Sequence, residues 1–246
     1  MKNTKAKILN ILWSSDAQHS AVLHVHNQVL AALDENEFEL HTLVLSGSEN
    51  EAIEEFSEAS YWQIKPQALR GKGWNKLSPH NISRRVREYI DSESFDLVLL
   101  DGAGVARLSL YSVQALTDVQ FVCVYHGHAK LRNSFTRAVA SSFPVNWVFV
   151  AVSSTVQAYL LEHYSFLNVD NCLCIDNAVS FSDIIENSLT RSQACQELGL
   201  DSTSFIVGSI GRLDKDKGAD ILIKAFKSFS DKGGPSNLVL VGDGSE

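Results

Sequence analysis

The sequence predicts an α/β fold. A doubly wound parallel sheet should form a Rossmann-like N-terminal domain over residues 1–186, followed by the first βαβ part of a second Rossmann-like domain over residues 187–246. Three observations predict this. The chain opens with an apolar run at 7–13, a helical period at 21–33 and a second apolar run at 38–45, and such a β-α-β start calls for parallel strands joined by a right-handed crossover. Phe95-Asp96-Leu97-Val98-Leu99-Leu100 is a nearly unbroken apolar run, as a parallel strand covered on both faces requires. Near the end, an apolar run from Phe205 stops at Gly211, a charged loop follows, Ala219 to Phe226 has helical spacing, and Asn237 to Val241 is again a strand.

Composition bounds what such a protein can do. The 246 residues suffice for one large or two modest domains, and a hydrophobic fraction of 45% supports a sizeable core. A net charge of −8 gives no general pull toward nucleic acid. No apolar run approaches the roughly 20 residues that span a bilayer. The N-terminus is basic, but the apolar run behind it is too short for a signal peptide, so a cytoplasmic protein is expected. Of the four cysteines, Cys172 and Cys174 alternate inside an apolar segment, and no second pair stands at zinc-finger spacing. Buried, reduced thiols are expected at all four, with Cys172 and Cys174 on one face of a strand.

The helix after the first strand has apolar residues at Val22, Val25, Val29, Leu30 and Leu33. The loop before it, residues 14–20, contains no glycine and carries His19, which reads as a surface or cap residue. Residues 49–58 are acidic and read as a solvated helix. Between Ala59 and Arg87 no acidic residue occurs, while Lys65, Arg70, Lys72, Lys76, Arg84, Arg85 and Arg87 fall there, seven of the chain's 21 basic residues. Tyr61, Trp62 and Trp74 are interleaved with them. This window is either a solvated helix face with aromatic anchors or a patch for an anionic acceptor or membrane surface.

Two motifs follow apolar strands. Asp101-Gly102-Ala103-Gly104-Val105-Ala106-Arg107 opens like a dinucleotide fingerprint, but Arg107 stands where close helix–strand packing needs a small residue, which argues against an NAD enzyme. The strand at 120–125 runs into His126-Gly127-His128, at the sheet edge where ligands of parallel α/β folds bind. His-x-His alone offers two metal ligands, and no partner cluster is evident, so no metal is expected. Lys130, Arg132 and Arg137 could extend the basic window. Ser153 reads as a helix N-cap, residues 181–191 as a hinge, and residues 192–198 as a short helix closed by Gly199.

The loop after the strand at 205–210 brings Arg212 and Lys217 to the start of a helix, a combination suited to a diphosphate. The spacing Gly211-Arg212-Leu213-x3-Lys217-Gly218, with Val241-Gly242-Asp243-Gly244 after the next strand, resembles the donor-nucleotide domain of the group 1 glycosyltransferases, the glycogen-synthase-like branch of the GT-B fold. The resemblance implies transfer of a sugar from a nucleotide-sugar donor, such as a UDP-sugar, to a glycan or lipid-linked acceptor with retention of anomeric configuration. It assigns Gly211, Arg212 and Lys217 to the donor diphosphate and His126 to the acceptor or the transferred sugar. Cations in that role need no metal or other cofactor; Asp214-Lys215-Asp216, which spells a D-x-D metal motif of another fold, then reads as loop polarity. Family members carry a later pair of glutamates eight positions apart, beyond Glu246, so the 246 residues by themselves are expected to be a poor catalyst. The resemblance also suggests bacterial surface polysaccharide or lipopolysaccharide synthesis at the inner face of the membrane. The alternative is a non-catalytic relative that binds lipid or glycan through the basic window.

Overall fold

The computed structural model describes residues 5–16, 20–71, 78–113, 116, 118–127, 146–179, 181–186, 188–233 and 237–246. These fall into two compact units, Met1–Ala178 and Val179–Glu246.

The first unit is built on a seven-stranded sheet: β1 (Ala6–Ser14), β2 (Phe38–Ser46), β3 (Glu58–Tyr61), β4 (Leu97–Asp101), β5 (Gln120–Tyr125), β6 (Trp147–Ala151) and β7 (Cys172–Cys174). Their order is β3-β2-β1-β4-β5-β6-β7, and every neighbouring pair is parallel. The order reverses between β1 and β4, which makes the carboxyl ends of those strands the topological switch point. The helices of this unit are α1 (Ser20–Ala31), α2 (Glu51–Glu54), α3 (Pro66–Arg70), α4 (Ser78–Glu93), α5 (Gly102–Val113) and α6 (Ser154–His163). The core runs along the central strands, with Leu9, Ile11, Leu43, Leu100, Phe121 and Cys123 fully buried.

Local chemistry explains the boundaries. Ser153 caps α6, its Oγ accepting from Val156 N–H at 3.3 Å, as its position before an apolar period suggests. The acidic stretch at 49–58 is not a continuous helix. Asn50 caps the single turn α2, Ile53 is drawn fully into the core, and Glu58 already pairs with β2. A turn at 55–57, leading into the edge strand at Glu58, thus replaces the second half of the expected helix. Cys172 is buried while Cys174 is exposed, so β7 does not bury both thiols. It is three residues long and lies at the sheet edge, which leaves its last residue in solvent.

The residues of the fingerprint-like segment have local packing roles in the fold. Gly102 turns the chain from β4 into α5 at φ +62°, and a Cβ on Gly104 would stand 3.0 Å from the Trp13 indole. The two glycines serve that turn and that packing. Arg107 instead reaches back from α5, its Nη2 donating to Leu69 O at 3.1 Å.

The second unit contains α7 (Phe181–Glu186), α8 (Arg191–Leu198), β8 (Ile206–Ile210), a 3-10 turn (Lys215–Lys217), α9 (Ala219–Ser230) and β9 (Asn237–Val241). The segment expected to be a hinge therefore opens with a helix. Thr190 and Gln193 form a capping box on α8, and Gly199 ends it in the left-handed region at φ +65°. β8 and β9 form a parallel two-stranded sheet. Cys195 is the one buried residue of this unit among the described residues, while Ile210 is 87% and Ile221 67% exposed.

This contrast sets an expected pair of outcomes. Leu100→Ala should cost about 2–5 kcal/mol in denaturant unfolding, since it empties a fully enclosed site. Ile221→Ala should stay within about 0.5 kcal/mol, because most of its surface is already in water.

Candidate functional site

The switch point gathers side chains from three elements. Asp101 ends β4, His126 follows β5, and His26 comes from the middle of α1. Their ligand atoms all lie within 4.8 Å of one another. His126 Nε2 and His26 Nε2 are 3.4 Å apart. Asp101 Oδ2 accepts the Trp13 backbone N–H at 3.2 Å, which ties the carboxylate to the end of β1. An open cleft of about 490 Å³ lies over this group, lined among others by Trp13, Arg70, Gly104, His126 and Gly127. A Cβ on Gly127 would meet nothing within 4 Å, so the backbone beside His126 is accessible.

His26 is held from behind. Its Nδ1 lies 2.7 Å from Asn10 Oδ1, in the buried interior of β1, and Asn10 Nδ2 donates to Thr42 Oγ1 at 3.4 Å. An amide oxygen only accepts, so Nδ1 carries the His26 proton and Nε2 presents its lone pair toward His126. Burial, and secondarily the charge on His126, pulls the His26 pKa down to about 3. Burial also lowers His126, against an opposing pull from the Asp101 carboxylate. Both imidazoles are therefore neutral at pH 7.

Sequence reasoning found His126 but not His26, Asn10 or Asp101. A signal for His26 existed. Leu23, His26, Asn27 and Leu30 form the buried stripe of α1, whereas Val29, counted as apolar stripe, is 43% exposed. A histidine and an asparagine on a buried helical face ask for partners.

Arg212 and Lys217 stand on the exposed loop between β8 and α9, in the second unit. Both are engaged by aspartates of the same loop. Arg212 pairs with Asp214 and, at 3.3 Å, with Asp216; Lys217 Nζ is 3.9 Å from Asp216. Asp214 also accepts from Ser245 N–H at 3.1 Å and its hydroxyl at 3.0 Å, hydrogen bonds that lower its pKa. The D-x-D spelling thus anchors the two cations. Gly211 N–H donates to Val241 O at 2.9 Å, and Leu213 N–H to Asp243 O at 2.9 Å, so the loops after β8 and β9 are zipped together. A Cβ on Gly242 would overlap Gly211 O, which is why the second loop needs glycine.

The basic window is only partly solvated. Arg85 stacks on Trp62 with its guanidinium 3.9 Å from the ring centroid, and Arg84 pairs with Glu88 at 3.4 Å. Arg70 borders the cleft. His19, Lys72, Trp74, Lys76, His128, Lys130, Arg132 and Arg137 lie outside the described residues.

A profile of Glycosyltransferase Family 4 matches residues 22–181. The chain belongs to this family. A second profile, Glycosyl transferases group 1, matches residues 191–246. No curated protein matches the chain. Among solved structures it resembles a glycosyltransferase from Rickettsia africae ESF-5, with a TM-score of 0.71 and 19% identity over 98% of this chain and 61% of that one. It also resembles Anabaena HepE in complex with UDP and glucose, with a TM-score of 0.65 and 16% identity over 98% and 62%. A third likeness is to the lipopolysaccharide outer core galactosyltransferase WaaB, with a TM-score of 0.59 and 14% identity over 97% and 61%. The chain therefore spans about three-fifths of the length of these structures. The fold is that of GT-B glycosyltransferases, each described unit being α/β with parallel strands.

The neutral, buried His26 gives the protein a testable acid response. With a folded pKa of about 3 against an unfolded value of 6.5, the unfolded chain binds more protons between those values. Stability therefore rises with pH across that window and is lost as pH falls through it. Between pH 7 and 5, above the range where carboxylates titrate, His26 should cost about 2 kcal/mol. Urea unfolding should show that loss in the native protein and a shallower slope in His26→Gln.

Proposed function

We propose that this glycosyltransferase moves a sugar from a nucleotide-sugar donor to a hydroxyl of an anionic glycan or lipid-linked acceptor, with retention of anomeric configuration. What carries this reading is the pair of cations Arg212 and Lys217, both on the loop that leads from Gly211 into α9 and is packed against Gly242. The leaving nucleoside diphosphate develops negative charge as the glycosidic bond breaks, and fixed cations with a helix start stabilise it. No metal ion is needed for that step. Asp214 and Asp216 hold the cations in the absence of donor, and the diphosphate replaces their carboxylates. His126 serves the acceptor side, with a cleft above it and Arg70 at its border.

HepE was solved with UDP and glucose and WaaB is a lipopolysaccharide galactosyltransferase, which supports a UDP-sugar donor and a role in bacterial surface polysaccharide or lipopolysaccharide synthesis. That role places the protein in the cytoplasm or on the inner membrane face; no helix among the described residues is long and apolar enough to cross a membrane. The alternative, a lipid- or glycan-binding module without catalysis, draws on the basic window, where Arg85 and Arg84 are already committed to Trp62 and Glu88.

Transfer and UDP binding measured side by side test the assignment. Arg212→Ala and Lys217→Ala should each cost about 2–4 kcal/mol of transition-state stabilisation and weaken UDP in calorimetry. His126→Ala should lose transfer while UDP affinity stays unchanged. Unaltered turnover in both cation variants would overturn the reading.

A further inference from the structure

We propose that His26, Asp101 and His126 form a binding site for a divalent transition ion of the zinc class, open on one side to the cleft. Its three donors come from α1, the end of β4 and the residue after β5, so the sheet topology assembles what no stretch of sequence contains.

The donor set suits the ion. Two imidazoles and one carboxylate are ligands that zinc and its neighbours accept, and three protein ligands leave a fourth position open. The spacing suits it as well. Zinc–nitrogen bonds of about 2.0–2.1 Å at a tetrahedral angle put two ligand nitrogens about 3.3–3.4 Å apart. The two Nε2 atoms are 3.4 Å apart. Asp101 is half-buried, with a carboxylate oxygen within 4.8 Å of both histidine nitrogens.

The tautomer suits it too. A metal-binding imidazole usually donates its other N–H to an oxygen that fixes the ring. Asn10 does this for His26, which leaves Nε2 as a lone pair directed at the cluster. Since His26 is buried at 1% exposure, this donor is preorganised.

The site shares no residue with the Arg212–Lys217 loop. Resting on the reading of His126 as the acceptor-side group, the ion would occupy the nitrogen that the acceptor needs and hold transfer down.

The test is a titration of the metal-stripped chain with Co²⁺, read by visible absorption, followed by displacement with Zn²⁺. One Co²⁺ per chain with four-coordinate d–d bands, displaced by one Zn²⁺, is expected. His126→Gln and Asp101→Asn should each weaken binding at least about tenfold with an unchanged circular dichroism spectrum. Both side chains are half-buried, so these variants keep the test valid should the more disruptive His26→Gln fail to fold. Absence of saturable binding overturns the proposal and makes the His26–His126 contact a hydrogen bond between imidazoles. Binding indifferent to both variants, or a thiolate-to-cobalt band such as exposed Cys174 would give, overturns it as well. The readout is ion binding, so a failure of the sugar-transfer reading leaves it standing, and its own failure leaves UDP binding at Arg212 untouched.

Discussion

The structure of the first unit depends on the burial of β1 and β4 side by side at the centre of a parallel sheet. Leu9, Ile11, Val98 and Leu100 are wholly excluded from water on these two strands. Both strands are flanked on both sides, and the strand order reverses between them. Their carboxyl ends, with that of β5, therefore open a crevice that no crossover fills. Trp13, Asp101 and His126 stand there because of that topology, whatever their chemistry.

Asn10 is the polar exception inside this core, fully buried on β1. An amide there is tolerated only when its hydrogen bonds are met. Thr42 meets one and His26 the other, and Ser57 extends the chain by donating to Thr42 Oγ1 at 2.6 Å. The network links β1, β2 and the residue before β3 to one helix and fixes the tautomer of the buried His26 beside His126. A core feature thereby determines the chemistry of a surface site.

The second unit works differently. Its cations are exposed and held by their own loop, and its loops after β8 and β9 are bound backbone to backbone. Geometry there comes from glycine: Gly242 can approach Gly211 only because it lacks a Cβ. Ion pairs in water are weak, so an incoming anion can displace them.

Much of this was determined by the sequence alone. Apolar runs placed the central strands β1, β2, β4 and β5 of the main sheet, since burial on both faces leaves an unmistakable pattern. The edge strand Glu58–Tyr61 was not legible, because a short, partly exposed strand has no such pattern. The placement of Arg212, Lys217 and their glycines was legible because one contiguous loop carries them, as was that of His126 because it directly follows a strand. The tertiary structure alone decided the rest. It paired Arg212 with Asp214 and Asp216, kept Cys174 in solvent, and turned Arg107 toward Leu69. Above all it brought His26 and Asp101 to His126, residues separated by 75 or more positions in two of the three pairings. Contacts of that kind depend on strand order, and strand order is fixed by how the whole sheet packs.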